Sequence, residues 1–132
     1  MQYMLLIYVD AALADALPEG ELDGMLRECF DHVDDLARAG TVLQSHMLMD
    51  ASRARSLRNR KGRTHSMDGP FSETKEVLGG FNLIEASDMD HAERIALELP
   101  WASIGCIEIR PVQDLNAERR RVGKLAAATP AT

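Results

Sequence analysis

Apolar and polar residues recur with different periods along the chain, and each period predicts an element of secondary structure. Residues 3–9 are apolar at both the odd and the even positions, which is typical of a strand in the middle of a sheet that is covered on both faces. From 19 to 39, apolar residues recur at intervals of three and four, which predicts one helix with a single buried stripe, with Pro18 in its first turn. Gly40 is its expected end, and residues 41–49 predict a second strand.

The middle of the chain contains a more polar segment that interrupts this pattern. Residues 54–67 have turn residues at 60–62 and strand-forming residues on either side, so they predict a β-hairpin. Because Asn59, Thr64 and their neighbours are more polar than a pair of core strands allows, we expect this hairpin to be an exposed flap. Residues 80–86 are apolar again and predict the third main strand.

The last part of the folded region predicts a second helix and a final strand. Ser87 and Asp90 are expected to cap the helix, and the next proline ends it. In residues 105–112 apolar and polar side chains alternate, as in a strand with one buried face. Later residues are charged and then small, so we expect a domain at 1–115 and a charged, partly disordered tail at 116–132.

The order of these elements predicts the fold class. Strand, helix, strand, hairpin, strand, helix, strand is an α+β, ferredoxin-like split βαβ arrangement with an inserted β-hairpin, in which both helices cover one face of an antiparallel sheet. The two strands that are apolar on both sides would leave large side chains in water on the other face, at a cost of roughly 1.5–3 kcal/mol each. We therefore expect another surface to cover that face.

The composition describes one acidic domain with a local cluster of positive charge. A length of 132 residues with 45% hydrophobic residues suits a single domain. A net charge of −6 argues against direct binding of nucleic acid or acidic membranes. Six Lys and Arg residues nevertheless fall in 53–63, where no Asp or Glu stands. This cluster predicts a solvated hairpin or, alternatively, a surface for an anionic partner.

The cysteines and the first apolar segment indicate the compartment. Cys29 and Cys106 lack the spacing of metal ligands and offer a single possible bridge, so we expect reduced thiols. Residues 3–9 are too short to span a bilayer and lack the basic start of a signal peptide. We expect a cytoplasmic protein with no membrane partner.

The run Asp68-Gly69-Pro70-Phe71 has the features of a site as well as those of a turn. Gly69 permits a positive φ and close approach of a ligand, and Pro70 restricts the residue before it. An Asp often accepts a bond from the N–H two residues later, but Pro70 has none. The carboxylate of Asp68 is thus either available to a ligand or bonded further along the turn.

Residues 68–76, together with the Val77-Leu78-Gly79-Gly80-Phe81 that follows, resemble the signature of the DGPF group of YCII-related proteins, and the resemblance extends from residue 3 to about 112. It implies a homodimer in which two sheets form a dimeric α+β barrel. Some YCII-related proteins resemble dehydrochlorinase-type catalysts, whereas genes of the DGPF group are often associated with alternative sigma factors. The resemblance therefore implies either an enzyme-like role or a regulatory one.

We predict a site centred on Asp68 as general acid or base, with His46 and His65 as its catalytic partners. The resemblance implies a carboxylate in place of His46 and an aliphatic residue in place of His65, so both histidines depart from the family pattern. A metal would need these side chains to converge at roughly 2 Å, and we predict no metal and no cofactor. Ligand contacts are expected from the loop: Gly69, Pro70, Phe71, Glu73 and Lys75.

Two functions remain open from the sequence. The first is a small cofactor-independent enzyme-like or ligand-binding protein of unknown substrate, in which Asp68 moves a proton. The second is a noncatalytic regulatory or protein-interaction module associated with an alternative sigma factor, with the basic flap as its docking surface. The structural alternative for Glu73 and Lys75 is that they only pair with each other at the surface, which contributes roughly 0–1 kcal/mol.

Overall fold

The computed structural model describes residues 1–125 and has a four-stranded antiparallel sheet with a separate two-stranded hairpin. The strands are β1 (Gln2–Asp10), β2 (Val42–Met47), β3 (Arg55–Arg60), β4 (Arg63–Asp68), β5 (Glu76–Glu85) and β6 (Gly105–Pro111). The main sheet has the order β2-β5-β1-β6, and β3 pairs only with β4. This is the strand order of the split βαβ fold, so the predicted α+β class and the inserted hairpin are confirmed.

Residues 1–125 contain four α-helices and two 3-10 helices, of which the last α-helix follows the final strand. They are α1 (Ala11–Asp15), α2 (Glu21–Arg38), α3 (Met89–Leu97), α4 (Leu115–Arg121) and the 3-10 helices Ala51–Arg53 and Pro100–Ile104. Helix α2 begins two residues later than predicted, because Gly20 takes a φ of +82° at its N-cap. The cap of α3 is Asp88, whose carboxylate accepts from the backbone N–H of His91; the prediction of Ser87 and Asp90 was wrong.

The core lies between the sheet and the helices. Odd-numbered residues of β1, such as Leu5 and Ile7, are buried on the helix side together with Ile84 of β5. The even-numbered residues in the middle of β1, which are Met4, Leu6 and Tyr8, point to the other side and are half-buried. Strand β1 is therefore central and apolar on both faces, as predicted. We call the side without helices the open face.

The hairpin of β3 and β4, here called the flap, extends away from the main sheet. Lys61 and Gly62 take φ values of +54° and +76°, which fit a tight two-residue hairpin turn. All flap residues except Ser56 are exposed. The prediction of an exposed flap is confirmed.

The ends of the chain and the thiols complete the description. Helix α4 begins the segment that the sequence assigns to a charged tail, and the part of that tail from 126 to 132 lies outside the described residues. Cys29 is buried and Cys106 is exposed on the open face, and neither forms a disulfide. None of the helices within residues 1–125 is both long and apolar enough to cross a membrane.

Candidate ligand site at the loop after the flap

An open cleft of about 730 Å³ lies where the open face meets the segment after the flap. The sheet contributes Tyr8 and Leu78, and the chain opposite contributes Pro70 and Phe71. Tyr8 pairs with Leu78 although Ile7 pairs with Gly80, so Gly79 is the extra residue of a β-bulge. This bulge places the side chains of Tyr8 and Leu78 side by side in what we call the loop cleft.

Backbone and side-chain hydrogen bonds from the flap fix the loop in place. Gly69 has a φ of +100°, a conformation that favours glycine, and its N–H donates to the carbonyl oxygen of Ala54 at 2.7 Å. The hydroxyl of Ser56 donates to the carbonyl oxygen of Gly69 at 2.8 Å. The guanidinium of Arg58 donates to the carbonyl oxygen of Phe71 at 3.0 Å. Ser56 and Arg58 thus share the flap face that turns toward the loop.

Asp68 lies on the other face of the flap. It is directly opposite Arg55 in the hairpin, and Arg55 Nε is 3.5 Å from its Oδ1. The side chain of Asp68 is 90% exposed. Its carboxylate accepts no hydrogen bond within residues 1–125, so it caps no turn, and it does not line the loop cleft. The carboxylate therefore caps no turn, but it pairs with Arg55 at the surface and faces solvent.

The two histidines predicted to work with Asp68 lie elsewhere. His65 is opposite Arg58 in the hairpin, three residues before Asp68 in the same strand, so the two side chains point to opposite faces of the flap. His46 is on β2, with its ring centroid 5.2 Å from that of Phe81. Neither histidine forms an ion pair with Asp68 in the described chain. The expected contact of Asp68 with either histidine is absent from this conformation, and their catalytic role remains a prediction.

The residues predicted to contact a ligand divide into two groups. Pro70 and Phe71 line the loop cleft, and Phe71 is 73% exposed there. Glu73 is exposed outside the lining, and Lys75 Nζ lies 3.7 Å from Oδ2 of Asp10. Asp10 is buried and caps α1, so Lys75 ties the loop to that helix instead of pairing with Glu73. Between residues 1 and 125 there is no group of three metal-ligating side chains.

Sequence reasoning missed Tyr8, the hydroxyl at the floor of the cleft. Its O–H donates to Oε1 of Glu108 at 3.3 Å across the open face. Burial raises the pKa of Tyr8, and the negative charge of Glu108 raises it further. The hydroxyl is therefore protonated at neutral pH and can donate a hydrogen bond. The available signal was the even-numbered position of Tyr8 in β1. It could not be assigned to a face of the sheet, because the odd-numbered and the even-numbered residues of this strand are both apolar.

Arg53 is a second residue that the site prediction omitted. It lines the loop cleft from the 3-10 helix Ala51–Arg53, is exposed, and has no acidic partner within 4 Å among the described residues. Asp50 and Glu76 line the cleft as well. The hydroxyl of Ser52 donates to the carboxylate of Asp50 and holds the pKa of that group below its usual value. The sequence feature that could have identified Arg53 is the cluster of Lys and Arg residues at 53–63.

Comparison with protein families gives the chain a place among known sequences. The YCII-related domain matches residues 1–116, which is nearly all of the described chain. The chain belongs to the YCII-related family. Within that family, membership of the DGPF group remains a prediction from the run that begins at Asp68.

Two known proteins resemble this YCII-related chain. An uncharacterized protein of Rhizobium meliloti (strain 1021) is 35% identical over 114 residues, which cover 85% of this chain and 92% of that protein. Among solved structures, 5-chloro-2-hydroxyhydroquinone dehydrochlorinase from Burkholderia phenoliruptrix AC1100, in complex with 2,5-dihydroxybenzoquinone, has a TM-score of 0.46 and 12% identity. That similarity covers 86% of this chain and 94% of the dehydrochlorinase.

Proposed function

We propose that this YCII-related protein is an enzyme-like binder of a small organic anion, which it holds in the loop cleft. The observation that carries the proposal is the cleft itself, about 730 Å³ in volume, with apolar side chains on both walls and polar side chains in the rest of its lining. Ligand sites are typically concave and mainly apolar, with a small number of polar groups that orient the ligand. The volume suits a ligand of the size of a substituted benzene ring or larger.

The apolar body of the ligand would lie between the sheet and the loop. Tyr8 and Leu78 form one wall, and Pro70 and Phe71 form the other. Burial of the exposed Phe71 ring against a ligand removes apolar surface from water at roughly 25 cal/mol per Å². The hydrogen bonds from Ser56 and Arg58 keep the loop wall in position before a ligand arrives, which lowers the entropy cost of binding.

The charge of the ligand follows from the flap. Within the cleft Arg53 is accompanied by Asp50 and Glu76, so these three groups alone would not attract an anion. The flap face that turns toward the loop adds Arg58, Arg60 and Arg63, with no acidic side chain among residues 53–63. In a chain of net charge −6 this is a local positive field, and it favours a carboxylate, phenolate or similar group.

The chemistry on the bound ligand would involve proton-carrying groups at the cleft. Tyr8 would donate to an oxygen of the ligand once its O–H turns away from Oε1 of Glu108, because the hydroxyl carries a single proton. The acid or base role predicted for Asp68, with His46 or His65, belongs to the same proposal. It requires the flap to present its other face, because Asp68 is now opposite Arg55 and faces solvent.

The binding proposal can be tested with benzoate as the probe. Benzoate should raise the melting temperature of the parent protein, and isothermal titration should show one site. Arg53→Met should weaken binding by about tenfold, the effect of losing one charge-assisted contact. Phe71→Ala should weaken it similarly, whereas the matched surface variant Arg94→Met on α3 should bind like the parent. Equal binding by all four proteins, or no binding by the parent, would contradict the proposal.

We also propose that the protein is a cytoplasmic homodimer. The half-buried side chains on the open face, among them Leu6 and Tyr8, support a second sheet packed against it. The two free thiols, Cys29 and Cys106, support a reducing compartment. In such a dimer the loop cleft would lie at the rim of the covered surface.

A second candidate function is protein docking through the flap. It is favoured by Leu57 and Met67, which are 67% and 58% exposed on an arginine-rich hairpin. The resemblance to the DGPF group would make an alternative sigma factor the partner. Leu57→Ser together with Met67→Ser should then abolish binding of the sigma factor encoded nearest to the gene, and should leave benzoate binding unchanged. A double variant that binds that factor like the parent would remove this candidate.

A further inference from the structure

A second cavity lies on the opposite side of the sheet from the loop cleft. It occupies about 260 Å³ between β5, α2 and the 3-10 helix Pro100–Ile104. It is present at this end of β5 because Gly79 and Gly80 contribute no side chains. A side chain at Gly80 would lie 2.6 Å from the carbonyl oxygen of His46, so the backbones of β2 and β5 must stay close. We call this space the helix-side cavity.

The lining of the helix-side cavity is apolar and contains no Asp, Glu, Lys or Arg. Ile7, Leu26 and Trp101 are among its walls. The indole N–H of Trp101 donates to Sγ of Cys29 at 3.3 Å, and burial raises the pKa of the Cys29 thiol. Trp101 and Cys29 therefore satisfy each other and remain neutral. A charged ligand would lose its hydration here without gaining a counter-charge, so the cavity selects against ions.

Polar residues of this lining are Ser45, His46 and Asn82, and Asn82 is the one among them that is buried. Its side chain lies on the helix side of β5, because the next residue toward the N-terminus, Phe81, contacts His46 on the open face. Asn82 is 2% exposed, and its Oδ1 is sealed from solvent with no hydrogen-bond partner in residues 1–125. Native proteins rarely leave a buried polar atom unpaired, so a partner from outside the chain is expected at this amide.

We propose that the helix-side cavity binds a small neutral phenol or aromatic alcohol, with its hydroxyl on the amide of Asn82. The volume exceeds the roughly 150 Å³ of an engineered cavity that accepts benzene, so a substituted ring fits. A hydroxyl both donates and accepts, and therefore pairs with whichever end of the amide faces the cavity, the NH₂ group or, after a half-turn of the amide, the oxygen. The ring then contacts the apolar walls. This site is separate from the loop cleft, which we assign to anions.

The test compares phenol with toluene, in which a methyl group replaces the hydroxyl. Phenol at millimolar concentration should raise the melting temperature of the parent protein, and titration should show it binding about tenfold more tightly than toluene. Asn82→Leu keeps a side chain of similar size and removes the amide, so it should abolish this preference. Phe71→Ala, which alters only the loop cleft, should bind phenol like the parent.

Direct location of the ligand keeps the proposal open to refutation even if Asn82→Leu fails to fold. Crystals of the parent soaked with 4-bromophenol should show the bromine in the helix-side cavity and the hydroxyl on Asn82. An ordered water on the amide with no bromophenol in the cavity would overturn the proposal, and so would bromine found only at the loop cleft. A preference for phenol that survives in Asn82→Leu would overturn it as well.

Discussion

The conformation of Gly69 leads to a quantitative prediction about the loop. Its φ is +100°, and a Cβ atom built on it would meet no atom within 4 Å. A substitution is therefore penalised by backbone conformation alone and not by collision with neighbours. For a β-branched residue in this region the cost is ~1–3 kcal/mol. Gly69→Val should accordingly lower the melting temperature by about 4 °C for each kcal/mol.

Two matched variants separate the effect of conformation from that of position. Gly20→Val also replaces a glycine of positive φ, +82°, with open space around its Cβ, but lies at the start of α2. It should be destabilised by a similar amount and should still bind benzoate. Lys75→Ala removes only an exposed amine 3.7 Å from Asp10, which is worth roughly 0–1 kcal/mol.

Thermal unfolding followed by circular dichroism, with benzoate titration of each variant, measures these differences. Gly69→Val should be the one variant of the three that both melts early and binds benzoate weakly, because it displaces Pro70 and Phe71. If Gly69→Val and Lys75→Ala both melt within about 1 °C of the parent, the cost of the positive φ is far below the expected range. The loop would then be an ordinary, adaptable turn.

Three further predictions concern the dimer, the pH dependence and Asp68. Leu6→Glu on the open face should convert a dimer to a monomer in light scattering and speed alkylation of Cys106, which is exposed in a single chain; a parent that stays monomeric at all concentrations would contradict this. The pKa of Tyr8 is raised on folding, so its stabilising contribution is complete below its unfolded value of 10.0 and is lost as pH rises through the folded pKa. Urea unfolding between about pH 9 and 11 should show this loss in the parent and not in Tyr8→Phe. Asp68→Asn should shift the melting temperature little, because the carboxylate is 90% exposed, and should abolish any turnover; a variant with full turnover would exclude the acid or base role.

The main elements were predictable because their signals are local. Apolar residues on both faces identified β1 as a central strand, and the polar turn at 60–62 identified the exposed flap. Helix α1 and the 3-10 helix Pro100–Ile104 were not predicted, since each is only five residues long and too short to show a hydrophobic periodicity. Their stability comes from tertiary contacts, such as that of Trp101 with Cys29, which the sequence does not show.

The candidate site was predictable only in part. The loop, its positive φ and the contacts of Pro70 and Phe71 with the cleft follow from Gly and Pro chemistry. The expected contact of Asp68 with His65 depended on where the flap ends. Strand β4 continues through Asp68, and a spacing of three in a strand places two side chains on opposite faces. His46 was expected near the loop, but its orientation depends on its pairing with Phe81 in the sheet.

The bulge at Gly79 makes the floor of the loop cleft depend on the pairing register of β5 and not only on its composition. On one side of Gly79 the strand presents Leu78 to the cleft, and Val77 pairs with Val9 on the helix side. A regular strand of the same residues would exchange the two, because it would place Gly79 opposite Tyr8 and move Leu78 to the helix side. Relatives that share the loop but lack the bulge would therefore have a differently shaped floor, so specificity in this family could evolve by gain or loss of the bulge while the signature loop stays the same.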